Sequence, residues 1–366
     1  MSHSHLLVFC VAATCGVLSP SSAIAWSERG HDVVTQAAVR LVEARMGEDR
    51  RLTEPLVARS GMLGHLSNVP DIVWRAGDKA TVLANSPTHY VSLDLLTTLS
   101  PPTLASLPMT IAEAERRAAA QGKRLHPDIG TLPFRLAQLV ALTEDALVAV
   151  PTLTADADTK ALEAPVNQAL LMAGLLSHYV ADTTMPDHVC SAHDGWQRGQ
   201  GGIHAYFEGA LVDALGQELT LQVLSVALAS EPYAHLLASV DAPTRGALAR
   251  DPIRVAFLLA LDSMAHREPM HALDQQLAVL EPSRDEDVQR KPASRRPART
   301  VAPAFAPMLV ERLAMAADTL ASLWVLAWER AGRPDLRLYQ SYVYPVAPDY
   351  VPNTYLDASG TVSPHP

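Results

Sequence analysis

Apolar residues recur at helical spacing through most of this chain, and alternating apolar–polar runs, the mark of half-buried strands, are few. The spacing predicts a helix over 31–45 and another over about 111–121, inside a Pro-rich, loop-like stretch over 95–133. Leu132-Pro133-Phe134-Arg135 opens a long helix that runs to about Val150. After a loop over 151–157 a second long helix contains the apolar run Ala169 to Leu176, which reads as buried. Residues 212–280 read as further amphipathic helices. The stretch 281–308 is Pro- and Arg-rich, with Arg295-Arg296 and five prolines, and is expected to be a flexible surface excursion. A patch for nucleic acid or lipid headgroups is the sharper alternative for it. Leu309 to Ala331 reads as a strong amphipathic helix that packs back on the core. The pattern predicts an all-α protein. It has one helical domain over 26–280, the excursion over 281–308, a C-terminal helix over 309–336 and an irregular tail over 337–366.

Composition supports this reading. Aromatics are 5% of 366 residues, whereas Ala and Leu, good helix formers, abound. The formal charge of −10 leaves no basic footprint for duplex nucleic acid. It leaves open a hydrolase that meets phosphate through bound cations, which the count omits. Residues 1–25 read as a secretory signal peptide: an apolar segment from Leu6 to Leu18, then Ser19-Pro20, then the small-x-small site Ala23-Ile24-Ala25. The segment is too short to span a bilayer. An uncleaved anchor is the other reading, because the n-region lacks Lys and Arg. Cleavage would remove Cys10 and Cys15, leaving Cys190 with no partner for an internal disulfide. A secreted or periplasmic protein of this kind needs another source of rigidity, and bound metal is a candidate.

The chemistry concentrates in the stretch Ser177 to His188. On a helix His178 and Asp182 share a face, being four residues apart. Pro186 then breaks the helix and the chain turns to offer His188. A second pair at the same spacing, His204 and Glu208, follows a polar, Gly-rich loop over 191–202. A lone His/Asp pair is more often a surface ion pair. Two pairs and an extra His beside an apolar helix form a pattern of zinc ligands, since zinc takes nitrogen and oxygen donors. Upstream, Trp26 would become the N-terminus after cleavage, and its amine and carbonyl could chelate a metal. His31 opens the first helix. Asp71, after Pro70, suits a helix N-cap as well as a metal role, and His89 falls in a short piece that reads as extended.

Trp26, His31, Asp71, His89, His178, Asp182, His188, His204 and Glu208 have the order and type of the nine ligands of a trinuclear zinc site. The set resembles that of the superfamily joining bacterial zinc-dependent phospholipases C with fungal single-strand-specific (P1-type) nucleases. The resemblance covers about residues 26–210. It implies the all-α fold of that superfamily with a trinuclear zinc cleft. It also implies that Trp26, His31 and Asp182 hold one zinc, that Asp71, His89, His178 and the other Asp182 oxygen hold a second, and that His188, His204 and Glu208 hold the third. Met185-Pro186-Asp187 departs from the Gln-Pro usual before the last His of the central run, and Ala181 stands in place of a Gly. Neither change removes a ligand. A Glu at 208 looks like the phospholipases, whereas the short Trp-to-His spacing looks like the nucleases. Arg75 lies one residue from the place of a phosphate-binding arginine in the nucleases. The nuclease disulfides are absent.

The expectation is therefore a secreted zinc-dependent phosphodiester hydrolase of the phospholipase C type, a monomer in transient contact with a membrane surface. In it, Asp71 orients the attacking water or takes its proton. The alternative is an extracellular single-strand-specific nuclease or 3′-nucleotidase with the same zinc site, for which Trp74, Tyr90 or Trp196 could stack bases. A non-catalytic, zinc-stabilised helical binding protein is the third reading.

Overall fold

A computed structural model describes residues 26–47, 49–152, 159–248, 251–286, 289–337 and 343–355. The expected signal peptide, with Cys10 and Cys15, lies outside the described residues, as does the end of the tail. The chain is mostly helical, with 70% of it in helix and few strands. In chain order the helices are α1 Glu28–Met46, α2 Arg50–Ala58, α3 Ser60–Val69, α4 Lys79–Asn85, α5 Ile111–Ala119, α6 Leu132–Val148 and α7 Glu163–Thr184. Then come α8 Ile203–Ala205, α9 Val212–Ala214, α10 Leu219–Ser230, α11 Pro232–Ala238, α12 Ala242–Leu248, α13 Pro252–Ala265, α14 Arg267–Leu273 and α15 Ala298–Arg330.

The core is built on α7, which packs against α6, α3 and α15, while α1 packs across α3 and α15. From Ala173 to Thr184 every side of α7 is buried, as expected of a helix that is apolar nearly all round. Gly174 marks its closest crossing: a Cβ there would stand 2.5 Å from the Leu66 Cβ of α3. Overpacking of this kind costs about 1–3 kcal/mol. Gly174→Ala should lower stability by that amount in denaturant unfolding, and an unchanged midpoint would show that α3 and α7 can separate freely.

The stretch over 281–308 differs from its expectation. Residues 279–295 form a two-tier hairpin: β1 Val279–Glu281 pairs with β4 Ser294–Arg295, and β2 Arg284–Glu286 pairs with β3 Gln289–Lys291, both antiparallel. Helix α15 begins at Ala298, before the prolines at 303 and 307 rather than after them. Proline in a helix interior removes a hydrogen bond and crowds the preceding turn, which is why the sequence pattern starts the helix late. Burial of Val301, Ala302, Phe305 and Leu309 against the core offsets that cost.

The tail has no regular structure over 343–355, yet it is tied to the body. The Trp74 indole donates to the Pro348 carbonyl (3.0 Å) and the Gln138 amide to that of Pro352 (2.7 Å). Tyr350 meets Trp74 edge to face, and the buried Arg135 guanidinium lies among Trp74, Tyr179 and Tyr350. No single helix among the described residues is long and apolar enough to cross a membrane.

Candidate metal centre

The structure brings His31, Asp71, His89, His178, Asp182, His188, His204 and Glu208 to one place, all of them buried. His31 sits in the first turn of α1. His178 and Asp182 are successive on the buried face of α7, with His178 Nε2 3.2 Å from Asp182 Oδ2. Helix α7 stops at Thr184, and Pro186 starts a 3-10 turn, Pro186–Val189, that delivers His188.

Two acids sit in π-helical turns. Asp71 lies in Pro70–Trp74, which continues α3 without a break, so it is not an N-cap. Glu208 lies in Tyr206–Leu211, which continues α8. Turns of this kind are uncommon and often mark functional positions. His89 closes a 3-10 turn, Ser86–Thr88, rather than lying in an extended piece, because Pro87 favours that turn. Trp26 is fully buried. Its indole donates to the Ala181 carbonyl (2.8 Å) and lies against Phe207, while the Ser27 amide donates to the Glu208 carbonyl (3.2 Å). Trp26 therefore sits between the segments that carry Asp182 and Glu208.

Three donor groups emerge. His31, His178 and Asp182 form one, Asp71, His89 and His178 a second, and His188, His204 and Glu208 a third. The Asp182 carboxylate links the first two: Oδ2 is 3.0 Å from His89 Nδ1, and Oδ1 is 3.6 Å from His31 Nε2. Backbone carbonyls fix the imidazoles. Nδ1 of His178 donates to Ser67 (2.8 Å), that of His188 to His89 (2.6 Å) and that of His204 to His193 (2.9 Å). A carbonyl only accepts, so each ring turns its other nitrogen inward as an electron-pair donor.

The third group shows what must lie between the donors. Nε2 of His188 faces Nε2 of His204 at 2.9 Å, with Glu208 Oε2 3.0 Å from the latter. Two lone pairs at that distance repel unless a cation, proton or metal, sits between them. Asp71 Oδ2 and Asp182 Oδ1 are buried and lack a hydrogen-bond partner, which is costly unless a cation compensates. These buried His, Asp and Glu groups could hold metal ions, and their nitrogen and oxygen donors suit zinc.

The electrostatics agree. With no cation among them, burial pushes the Asp71 and Asp182 carboxyls up to about 7, against the opposing pull of His178 on Asp71 and of His188 on Asp182. Burial holds His178 neutral down to about 4. Burial also disfavours charge on His204, but Glu208 beside it outweighs that and raises the ring to about 10. A metal must displace protons from Asp71, Asp182 and His204, whereas His178 is already a neutral donor. Zinc affinity should thus rise steeply up to about pH 7, where both carboxyls and His204 give up protons, and more gently above it, where His204 alone does, by roughly tenfold per pH unit for each proton displaced. Competition with a chromophoric chelator measures this, and a profile without a break near pH 7 would show that these carboxyls ionise at ordinary values.

The surroundings hold groups that sequence spacing did not single out. Asp194 Oδ1 accepts from the backbone amides of Gly202 and His204 (both 3.1 Å) and so fixes the start of the Glu208 segment. Asp187, next to His188, is fully buried and binds Arg267 and His271 (both 3.1 Å). The Asp194-Gly195 turn was a visible signal for the first. Nothing in the sequence ties residue 187 to 267 or 271. Arg75 Nε lies 3.0 Å from Asp71 Oδ1, one helical turn on. Of the candidate stacking residues, Trp74 is buried under the tail, and the Tyr90 hydroxyl donates to the Pro127 carbonyl. Trp196 is half-buried and lines a cavity. Cys190 is a free, buried thiol, pushed up to about 12 chiefly by burial.

No family model matches this chain, and no curated protein matches its sequence.

Proposed function

We propose that this chain is a secreted zinc-dependent phosphodiester hydrolase. The observation that carries this reading is the convergence of eight buried donor side chains, with Trp26 beside them, into three groups, the first two sharing His178 and linked by the Asp182 carboxylate. When bound, zinc supplies charge neutralisation at the phosphate and a water acidic enough to lose its proton near neutral pH. The protein's own groups do the rest. Asp71, bearing a buried oxygen without a hydrogen-bond partner, would hold the attacking water in line and accept its proton. Arg75, whose side chain keeps 20% of its exposure, sets a guanidinium beside Asp71, where it can bind phosphate oxygens in a bidentate manner. The closed, buried wall of α7 behind Asp182 excludes bulk water and strengthens each of these interactions.

The phospholipase C type comes first among substrates, on the resemblance carried by Glu208. A nuclease or 3′-nucleotidase is the second reading, favoured by one observation: Trp196 lines a cavity together with His193, whose carbonyl accepts from His204.

Asp71→Asn should lower turnover by at least about a hundredfold, the usual contribution of a general base. Rates on phosphatidylcholine and on single-stranded DNA, measured with the zinc content in hand, check this. Near-normal turnover in a fully zinc-loaded variant would remove Asp71 from the reaction. Absence of zinc-dependent turnover on either substrate by the unaltered protein would sink the hydrolase reading itself.

A further inference from the structure

The Arg-rich hairpin over 279–295 contributes none of the eight donors, yet its links run to every segment that carries the third group, His188, His204 and Glu208. Arg295 is its inner end. With a side chain only 7% exposed, Arg295 is no open cationic patch for nucleic acid or lipid headgroups. Its guanidinium pairs with both oxygens of the fully buried Asp274 (2.8 and 3.0 Å) and donates to the carbonyls of Gly201 (3.1 Å) and Gln200 (2.6 Å). Those carbonyls lie just ahead of His204, and the Ala293 amide donates to the same Gly201 oxygen (2.9 Å). The Arg295 guanidinium also lies over the Tyr206 ring, 5.2 Å from its centroid, while the Tyr206 hydroxyl donates to the Arg296 carbonyl (2.8 Å). Tyr206 opens the π-helical turn that presents Glu208.

The link to His188 is longer and runs through the interior. Gln200 Nε2 donates to Asp274 Oδ2 (2.9 Å) and to the His271 carbonyl (2.8 Å), and Gln200 Oε1 faces His271 Nδ1 (3.0 Å). On the other side of the ring, His271 Nε2 lies 3.1 Å from Asp187 Oδ1, the oxygen that also accepts from Arg267 Nε (3.1 Å). Arg267 reaches on to the Ala192 carbonyl (2.6 Å), next to His193, whose own carbonyl orients the His204 ring. Asp187, Gln200, His271 and Asp274 are all buried, and Asp187 precedes His188 in the chain. A run of polar groups thus joins the base of the hairpin to the backbone at His188.

The third group needs such support more than the others do. His178 and Asp182 stand on the long, packed α7, whereas His188 comes from a four-residue 3-10 turn and His204 from the three-residue α8. Elements that short do not hold themselves in place. Donor geometry then depends on the partners behind the ligands.

We propose that the hairpin and the buried polar run behind it form a brace that positions the third donor group, with Asp187 as the positioning residue for His188. This rests on the metal reading of the centre and assigns the brace to one ion of the three.

The test is zinc affinity, read on the purified protein by chelator competition and elemental analysis. Asp187→Asn keeps the volume and removes the charge that gathers Arg267 and His271. It should weaken one ion by about tenfold or more and leave the other two as they are in the unaltered protein. Glu208→Gln should itself lose the third ion, so adding Asp187→Asn to it should change the remaining affinities by no more than about twofold. Because Asp187→Asn could fail to fold, Arg295→Met probes the far end of the run and should weaken the same ion by about threefold. Asp318→Asn is the control for general loss of stability. It breaks the pair with Arg45 that ties α1 to α15 (2.6 Å), and it should lower the melting temperature without a selective loss of zinc. Equal weakening of all three ions by Asp187→Asn and Arg295→Met, or none, overturns the brace. Zinc bound normally by the unaltered protein and by both variants overturns the brace and leaves the metal reading standing. Absence of zinc from the unaltered protein overturns the metal reading and the brace with it.

Discussion

If the donor groups hold zinc, as we propose, stripping it with a chelator should abolish the proposed phosphodiester hydrolysis and lower the melting temperature by about 10 °C or more. The stability effect follows from the inventory of the centre. Eight ionisable side chains are buried together, and at least Asp71 and Asp182 keep an oxygen with no hydrogen-bond partner. Burying such groups without compensation costs several kcal/mol. Anything that binds the folded chain and not the unfolded one stabilises by mass action. A deficit of about 5 kcal/mol corresponds to a fall of about 10 °C in a chain of this size. The donors come from α1, the turn after α3, the His89 turn, α7, the turn after α7, α8 and the segment after it. Loss of the cation therefore loosens the centre of the molecule rather than one edge. Differential scanning calorimetry with and without chelator, followed by zinc restoration, measures it. A melting point indifferent to chelation would mean that protons alone satisfy these donors.

The second large effect is expected at Asp182. Its two oxygens face different partners, His89 and His178 on one side and His31 on the other. Asp182→Asn keeps the shape but leaves a neutral amide that cannot link two cations. If the centre holds three zinc ions, as we propose, it should reduce bound zinc to about one and lower turnover by at least about a thousandfold, because the linked pair would lose its shared ligand. Glu208→Gln is the control. Glu208 belongs to the third group alone, so this change should remove a single ion. Elemental analysis of both purified variants decides the matter. Equal zinc loss in the two would refute a linking role for Asp182.

Much of the architecture was readable because helical spacing and apolar content point the same way. Predicted helices at 31–45 and 111–121 correspond to α1 and α5 within a few residues. The pairs His178/Asp182 and His204/Glu208 needed only the helical repeat to be placed on one face. What could not be read has physical causes. Prolines 303 and 307 argue against helix locally, and only the burial of Val301 and Phe305 overrides them. The π-helical turns around Asp71 and Glu208 have no repeat of their own to detect. The Asp187–Arg267–His271 contact joins residues 80 and 84 positions apart, a separation on which local pattern is silent. The ties from the tail to Trp74 and Gln138 are of the same kind.

The sealed position of Trp26 has a practical side. Its indole is locked to Ala181 and its neighbour's amide to Glu208, so Trp26 is anchored between the segments that carry Asp182 and Glu208. If cleavage after Ala25 frees the Trp26 amine, a recombinant form with even one residue ahead of it keeps that nitrogen in an amide and denies the centre an amine donor. On that reading purification handles belong at the opposite terminus, or must be removed by a protease that leaves no scar.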